Sequence, residues 1–190
     1  MHRKQLEDIT GGLFLMTIFT AIWIIIAEGS LQGRDHWAGG VVFSIIIVYL
    51  IVNYNRLNKV LRNLSKGEKE NDDPIEKEKT KRFYYIFAIE GIAIFVMRVI
   101  LENTGHINLF FPSFGLIVGL HFFPLAKLFD REFYYAIGGW MCLVAIAGFI
   151  IAYKHAPDYV APAIVGIGCG LATAMNGIRM IREGDELVKG

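Results

Sequence analysis

The segment FYYIFAIEGIAIFVMRVIL, residues 83–101, is the clearest guide to the architecture of this chain. Glu90 and Arg98 are its only charged residues. A helix that crosses the hydrocarbon core of a bilayer needs about 20 mostly apolar residues. The segment is also continuous, without the alternation of apolar and polar residues that a membrane-spanning strand requires. It therefore predicts a transmembrane α-helix.

Five more apolar runs of similar length surround this segment. The six predicted spans are about Gly11–Ala27, Ala38–Asn55, Phe83–Leu101, Ile107–Ala126, Phe133–Tyr153 and Tyr159–Ile178. Over 190 residues the chain is 54% hydrophobic and only 19% charged, whereas about a quarter of a soluble domain is charged. We therefore predict an all-α membrane protein, a bundle of six transmembrane helices that forms a single membrane domain over residues 1–190.

The distribution of Lys and Arg predicts the orientation of these spans. Sixteen of the 19 basic residues fall in the N-terminal tail, the loops after the second and fourth spans, and the C-terminal tail. The opposite loops hold only Arg34 and Lys154, and Arg98 lies within a span. Because cytoplasmic loops carry the excess of Lys and Arg, both termini are predicted to lie in the cytoplasm.

Several classes of function lose support from the composition. The net charge is +1, and no basic face remains for nucleic acid. Cys142 and Cys169 lie inside apolar runs, where they are expected to be small buried hydrophobes rather than a disulfide or zinc ligands. Metalloprotease, serine-hydrolase and Walker motifs are missing from the sequence, which weighs against an enzyme and leaves catalytic residues unassigned. No cofactor is indicated.

The longest hydrophilic segment is a predicted cytoplasmic linker over residues 56–82. Its first part, NRLNKVLRNLSK at 55–66, continues the second span with apolar residues at helical spacing, which favours an amphipathic extension near the lipid headgroups. The rest, GEKENDDPIEKEKTKR at 67–82, mixes charges of both signs. It is typical of a solvated linker, and the alternative is a docking site for a cytoplasmic partner.

Two segments of the chain, 50 residues apart, resemble one another. The triplets Phe-Tyr-Tyr at 83–85 and 133–135 are 50 residues apart, as are Pro112 and Pro162. We interpret the spans as three parallel helical hairpins, at about 11–55, 83–126 and 133–178. Glycines spaced four residues apart follow each proline, and Gly119 and Gly170 are predicted to touch neighbouring helix backbones.

Charged groups inside a membrane are costly, so each needs a partner or a function. Glu90 lies near the middle of the third span and His121 near the middle of the fourth. At equal depth on neighbouring helices they are predicted to form a polar site. Pro124 leaves the Leu120 carbonyl without its helical donor, so that carbonyl and Arg98 join the predicted ligand-binding set. The alternatives are a structural hydrogen bond at Glu90, and an ion pair or snorkelling for Arg98.

The predicted outer loops carry a second set of polar residues. Each of the three loops holds one histidine, at His36, His106 and His155, and carboxylates that include Glu28 and Asp35 lie beside them. Three converging histidines are able to bind a transition metal. Their spacing matches no established ligand motif, so exposed loop histidines are the expected alternative and no metal is assigned.

Residues 119–129, GLHFFPLAKLF, resemble segments of small bacterial multi-pass membrane proteins that have no assigned activity. The resemblance covers about one helix. It implies a location in the bacterial inner membrane, and no residue role follows from it.

Three functions remain open on the sequence. The first is a carrier or ligand-binding membrane protein for a small molecule or ion, using Glu90 and His121. The second is a regulatory or interaction subunit, either a homo-oligomer or bound to a cytoplasmic partner through residues 56–82. The third is an intramembrane enzyme acting on a lipid-like substrate, with His121 and Glu90 as acid and base. All three place the chain in a lipid bilayer.

Overall fold

The structure, a computed structural model, describes residues 3–64, 74–154 and 156–189. These residues contain six helices that are long and apolar enough to cross a membrane, as the sequence predicts. The helices are α1 (Arg3–Leu31), α2 (Ala38–Asn63), α3 (Pro74–Asn103), α4 (Phe110–Phe129), α5 (Phe133–Tyr153) and α6 (Val160–Lys189). A short 3-10 turn, Ile107–Leu109, precedes α4.

Four of the helices are longer than their apolar runs. For example, α1 begins at Arg3 and α6 continues to Lys189. A helix of 30 residues is about 45 Å long, whereas the hydrocarbon core is about 30 Å thick. Hydropathy locates only the part of a helix that lies in lipid, because its polar ends form the same backbone hydrogen bonds without an apolar signal.

The chain groups into two compact units. The first unit contains α1, α2 and the part of α6 from Gly170 onward, and the second contains α3, α4, α5 and the part of α6 up to Cys169. The repeat of three hairpins and the orientation in the membrane stay predictions.

In the first unit, α6 presents small residues to large side chains of α1 and α2. A β-carbon on Gly177 would lie 3.0 Å from the Leu50 side chain, and one on Gly170 would lie 3.1 Å from the Phe43 ring. The β-carbon of Trp23 in α1 would lie 3.5 Å away as well, and the predicted contact of Gly170 with a neighbouring backbone stays a prediction. Phe43 fills the space that a direct approach of α2 and α6 would need.

A polar seam also joins α1 to α6 in this unit. The hydroxyl groups of Thr20 and Thr173 are 2.9 Å apart and fully buried. The side-chain amide of Asn176 donates to the sulfur of Met16 at 3.1 Å. Such hydrogen bonds hold helices together where no water competes for the polar groups.

The amphipathic segment after the second span is helical up to Asn63. Leu57 is buried, and a β-carbon on Gly184 of α6 would lie 2.8 Å from its side chain. Arg56 of the same segment forms an ion pair with Asp185 of α6. The predicted helical extension is therefore present, with α6 as its packing partner. Residues 65–73 of the linker lie outside the described residues.

In the second unit, α4 and α5 approach closely through glycine. A β-carbon on Gly119 would lie 3.0 Å from the backbone nitrogen of Cys142, and one on Gly138 would lie 2.8 Å from the carbonyl oxygen of Gly119. The predicted backbone contact of Gly119 is confirmed. Only glycine allows this approach, because any side chain would hold the helices apart.

Candidate functional site

Glu90 of α3 and His121 of α4 meet inside the second unit. The Nδ1 atom of His121 is 3.2 Å from Oε1 of Glu90. Both residues are 7% exposed. The predicted proximity of this pair is confirmed, and its role in binding stays a prediction.

The direction of this contact differs from that of a regular hydrogen bond. Nδ1 of His121 is buried and has no hydrogen-bond partner of good geometry among the described residues, although the Glu90 oxygen lies within ion-pair distance. A small rotation of either side chain would align the two atoms. A rotation of that kind within one rotamer well costs little.

Aromatic rings enclose the imidazole of His121. The Phe122 ring stacks beside it with 4.6 Å between centroids, and the Phe87 ring of α3 lies 5.5 Å away. Phe83 extends this aromatic group from Phe87 to Phe129 near the end of α4. These rings exclude water, so the Glu90–His121 pair lies in a medium of low dielectric constant, where interactions between charges are strong.

Two charge states of the pair, which differ by one proton, have different costs in such a medium. With two protons shared between carboxyl and imidazole, the pair is neutral overall, either as two neutral groups or as an imidazolium and a carboxylate. With one proton on the imidazole alone, the pair carries a net charge of −1 inside the membrane. In an apolar environment the state without net charge costs less than the state with a net charge of −1.

Leu120 and Pro124 lie on the same helix as His121. Pro124 lies inside α4, so the helix continues although the carbonyl of Leu120 loses its usual donor. The Leu120 side chain is 52% exposed, so only its backbone is available to a site built around His121.

Arg98 has partners of its own toward the end of α3. Its guanidinium lies 4.0 Å from the Glu102 carboxylate and 5.9 Å from the centre of the Phe110 ring. The side chain is 62% exposed, and a separation of eight residues places it about 12 Å along the helix from Glu90. The structure therefore does not bring Arg98 into contact with the pair.

The three predicted outer histidines form no metal site that the structure describes. His36 lies in the turn between α1 and α2, and His106 precedes the 3-10 turn. His155 lies outside the described residues. Within the described ranges, no group of three or more histidines, cysteines or carboxylates could hold a metal ion.

A second buried carboxylate was not singled out by the sequence. Glu28 falls in the last turns of α1 and is 9% exposed. From the sequence it looked like one of several loop carboxylates, because its apolar run ends at Ala27. The signal that could have found it is the Gly39-Gly40 pair in the first turn of α2, since both glycines face the Glu28 side chain.

Comparisons with protein-family models, with curated proteins and with solved structures found no match.

Proposed function

We propose that this protein is a membrane carrier for a small molecule or ion, and that the Glu90–His121 pair is its proton-binding site. The observation that carries the proposal is the 3.2 Å approach of two titratable side chains that are both more than nine-tenths buried. Titratable groups inside membrane helices are typical of proton relays and substrate pathways.

The chemistry of the pair favours a cation as the transported species. Loss of the shared proton leaves a net charge of −1 in an apolar environment, and this charge is relieved either by a returning proton or by another cation. Exchange between the two couples proton movement to substrate movement. The Leu120 carbonyl, adjacent in the chain, would supply a neutral oxygen ligand.

Proton flux in reconstituted vesicles tests this proposal. Liposomes that contain the protein and a trapped pH-sensitive dye are challenged in turn with alkali cations, divalent cations and small amines. We expect one of these classes to drive proton movement with the native protein and not with Glu90→Gln. The matched control is Glu78→Gln, which removes an exposed carboxylate from the same helix and should leave the flux unchanged.

The second candidate function is a regulatory or interaction subunit that transports nothing. It is favoured by the rings of Phe87 and Phe122, which pack against His121. A buried pair in such surroundings would serve as a structural link between α3 and α4. If no compound drives proton flux and Glu90→Gln changes only thermal stability, the carrier proposal is wrong and this second function stands.

A further inference from the structure

The turn between α1 and α2 holds a buried carboxylate without a donor. Both oxygens of Glu28 are buried, and no donor among the described residues reaches either of them. A carboxylate has room for about four hydrogen bonds, and leaving it buried without any is costly. Either a proton or a bound cation would remove this cost.

A second carboxylate lies against the same place. A β-carbon on Gly39 would lie 2.8 Å from Oε1 of Glu28 and 3.3 Å from Oδ2 of Asp35. The two carboxyl groups therefore adjoin each other over the α-carbon of Gly39. Two carboxylate oxygens cannot hydrogen-bond each other unless one of them carries a proton, so Asp35 supplies no donor to Glu28 while both are ionised.

Asp35 is held in this position by the start of α2. Its Oδ1 accepts the backbone N–H of Trp37 at 3.1 Å, and its Oδ2 accepts that of Gly39 at 3.0 Å. Hydrogen bonds from the backbone of Gly39 and Trp37, together with a side-chain hydrogen bond from Glu28, lower the pKa of Asp35 below its usual value, so this carboxylate is ionised at neutral pH. The partial positive charge of a helix N-terminus, about half a unit, is too small to balance two carboxylates.

The surrounding backbone is shaped for this arrangement. Gln32, His36 and Trp37 all have positive φ angles, between 50° and 61°, which side-chain-bearing residues adopt only at a cost. Gly40 faces the Glu28 side chain as well, and a β-carbon there would lie 3.3 Å from its carboxyl carbon. The strained turn and the two glycines together make room for a carboxylate that a simple loop would leave in water.

We propose that Glu28 and Asp35 form a binding site for a hard divalent cation, of the Ca²⁺ or Mg²⁺ class, at the turn between α1 and α2. Carboxylate oxygens are the ligands that these ions prefer, and water completes their coordination when protein ligands are few. Two protein side chains make a weak site, suited to millimolar cation outside a cell. The positive-inside pattern places this turn on the outer face. The site is independent of the proposed proton pair in the second unit.

Calorimetric titration of Ca²⁺ and Mg²⁺ into the whole protein, purified in a neutral detergent, tests the site. We expect saturable binding of one cation per chain. Glu28→Gln and Asp35→Asn should each weaken binding by more than about tenfold. Asparagine keeps one of the two oxygens that accept from Trp37 and Gly39, so Asp35→Asn removes the charge and retains one of the two hydrogen bonds to the start of α2.

A glycine pair supplies a test that leaves the charges unchanged. Gly39→Ala would place a methyl group against both carboxylates and should weaken binding, whereas Gly29→Ala meets nothing within 4 Å and should bind as the native protein does. The proposal is overturned if the native protein binds neither cation above the detergent blank. It is also overturned if Glu28→Gln binds with native affinity, since a proton shared by the two carboxyl groups would then account for the geometry.

Discussion

At the scale of single residues, the Glu90–His121 pair is the feature that the sequence located most accurately. Equal depth on consecutive spans was sufficient, because neighbouring antiparallel helices bring residues of equal depth together. The internal repeat would place Trp140 where Glu90 lies, and the Trp140 indole donates instead to the Gly168 carbonyl at 2.9 Å. The titratable pair therefore belongs to one hairpin and has no equivalent at this position of the next.

The strength of the pair can be measured by a double-mutant cycle on Glu90 and His121. We expect Glu90→Gln and His121→Ala each to destabilise the protein, because each leaves one buried polar group without its partner. The double variant should lose less than the sum, by about 0.5–3 kcal/mol in the free energy of unfolding. Unfolding in a mild detergent supplies the three values, and strictly additive losses would show that the two side chains do not interact.

At the scale of the helices, the hydropathy pattern predicts how many spans there are and where their apolar parts lie. It does not predict which helix faces pack together. The predicted span Phe133–Tyr153 coincides with α5, since both of its ends coincide with changes in polarity. The burial of Glu28 could not be predicted from the sequence. It depends on which face of α2 packs against α1, and α2 is apolar on nearly every side, so the sequence does not indicate that face. The glycine pattern predicted the backbone contact at Gly119 correctly, because four-residue spacing of small residues does not depend on the neighbouring side chains.

Two adjacent glycines of α5 test the close approach of α4 and α5. Gly138→Ala would place a methyl group 2.8 Å from the Gly119 carbonyl oxygen, whereas Gly139→Ala meets nothing within 4 Å. We expect Gly138→Ala to lower the free energy of unfolding by about 1–3 kcal/mol through overpacking. Gly139→Ala should be neutral or slightly stabilising, because alanine is the better helix former. Equal thermal stability of the two variants would contradict the contact.

The seam between α1 and α6 has its own matched pair of threonines. Thr20 bonds to the Met16 carbonyl of its own helix and also to Thr173, whereas Thr17 bonds only to the Leu13 carbonyl of its own helix among the contacts described. Replacing Thr20 with valine should cost about 0.6–2 kcal/mol of unfolding free energy, the range for hydrogen bonds between membrane helices. Thr17→Val should cost less, since it breaks no contact between helices. Thermal unfolding measures both losses, and a larger loss of stability for Thr17→Val than for Thr20→Val would contradict the hydrogen bond between α1 and α6.

At the scale of the whole molecule, the number of spans and the distribution of charge together predict the topology. The described residues contain six helices that are long and apolar enough to cross a membrane, and an even number of spans would return both termini to one side. The sixteen-to-two bias in Lys and Arg then assigns that side to the cytoplasm. The helix bounds alone cannot distinguish this orientation from its inverse, because the backbone geometry is the same in both.

Cysteine labelling of intact cells tests the topology. In a background with Cys142 and Cys169 replaced by alanine, cysteines at positions 36, 104 and 156 should react with a membrane-impermeant maleimide. A cysteine at position 70 should react only after the cells are permeabilised, because the loop after the second span is predicted to be cytoplasmic. Labelling at position 70 in intact cells would show that the orientation is the opposite of the predicted one.

The central claim, that Glu90 and His121 hold one exchangeable proton inside the membrane, is tested most directly by infrared difference spectroscopy. Spectra of the native protein in lipid, recorded as the pH is raised, should show a buried carboxylic acid or imidazolium signal that is lost as one proton is released. Glu90→Gln should abolish that change, and Glu78→Gln should preserve it. A spectrum in which Glu90→Gln removes no pH-dependent band would contradict the claim and leave the pair as a structural contact.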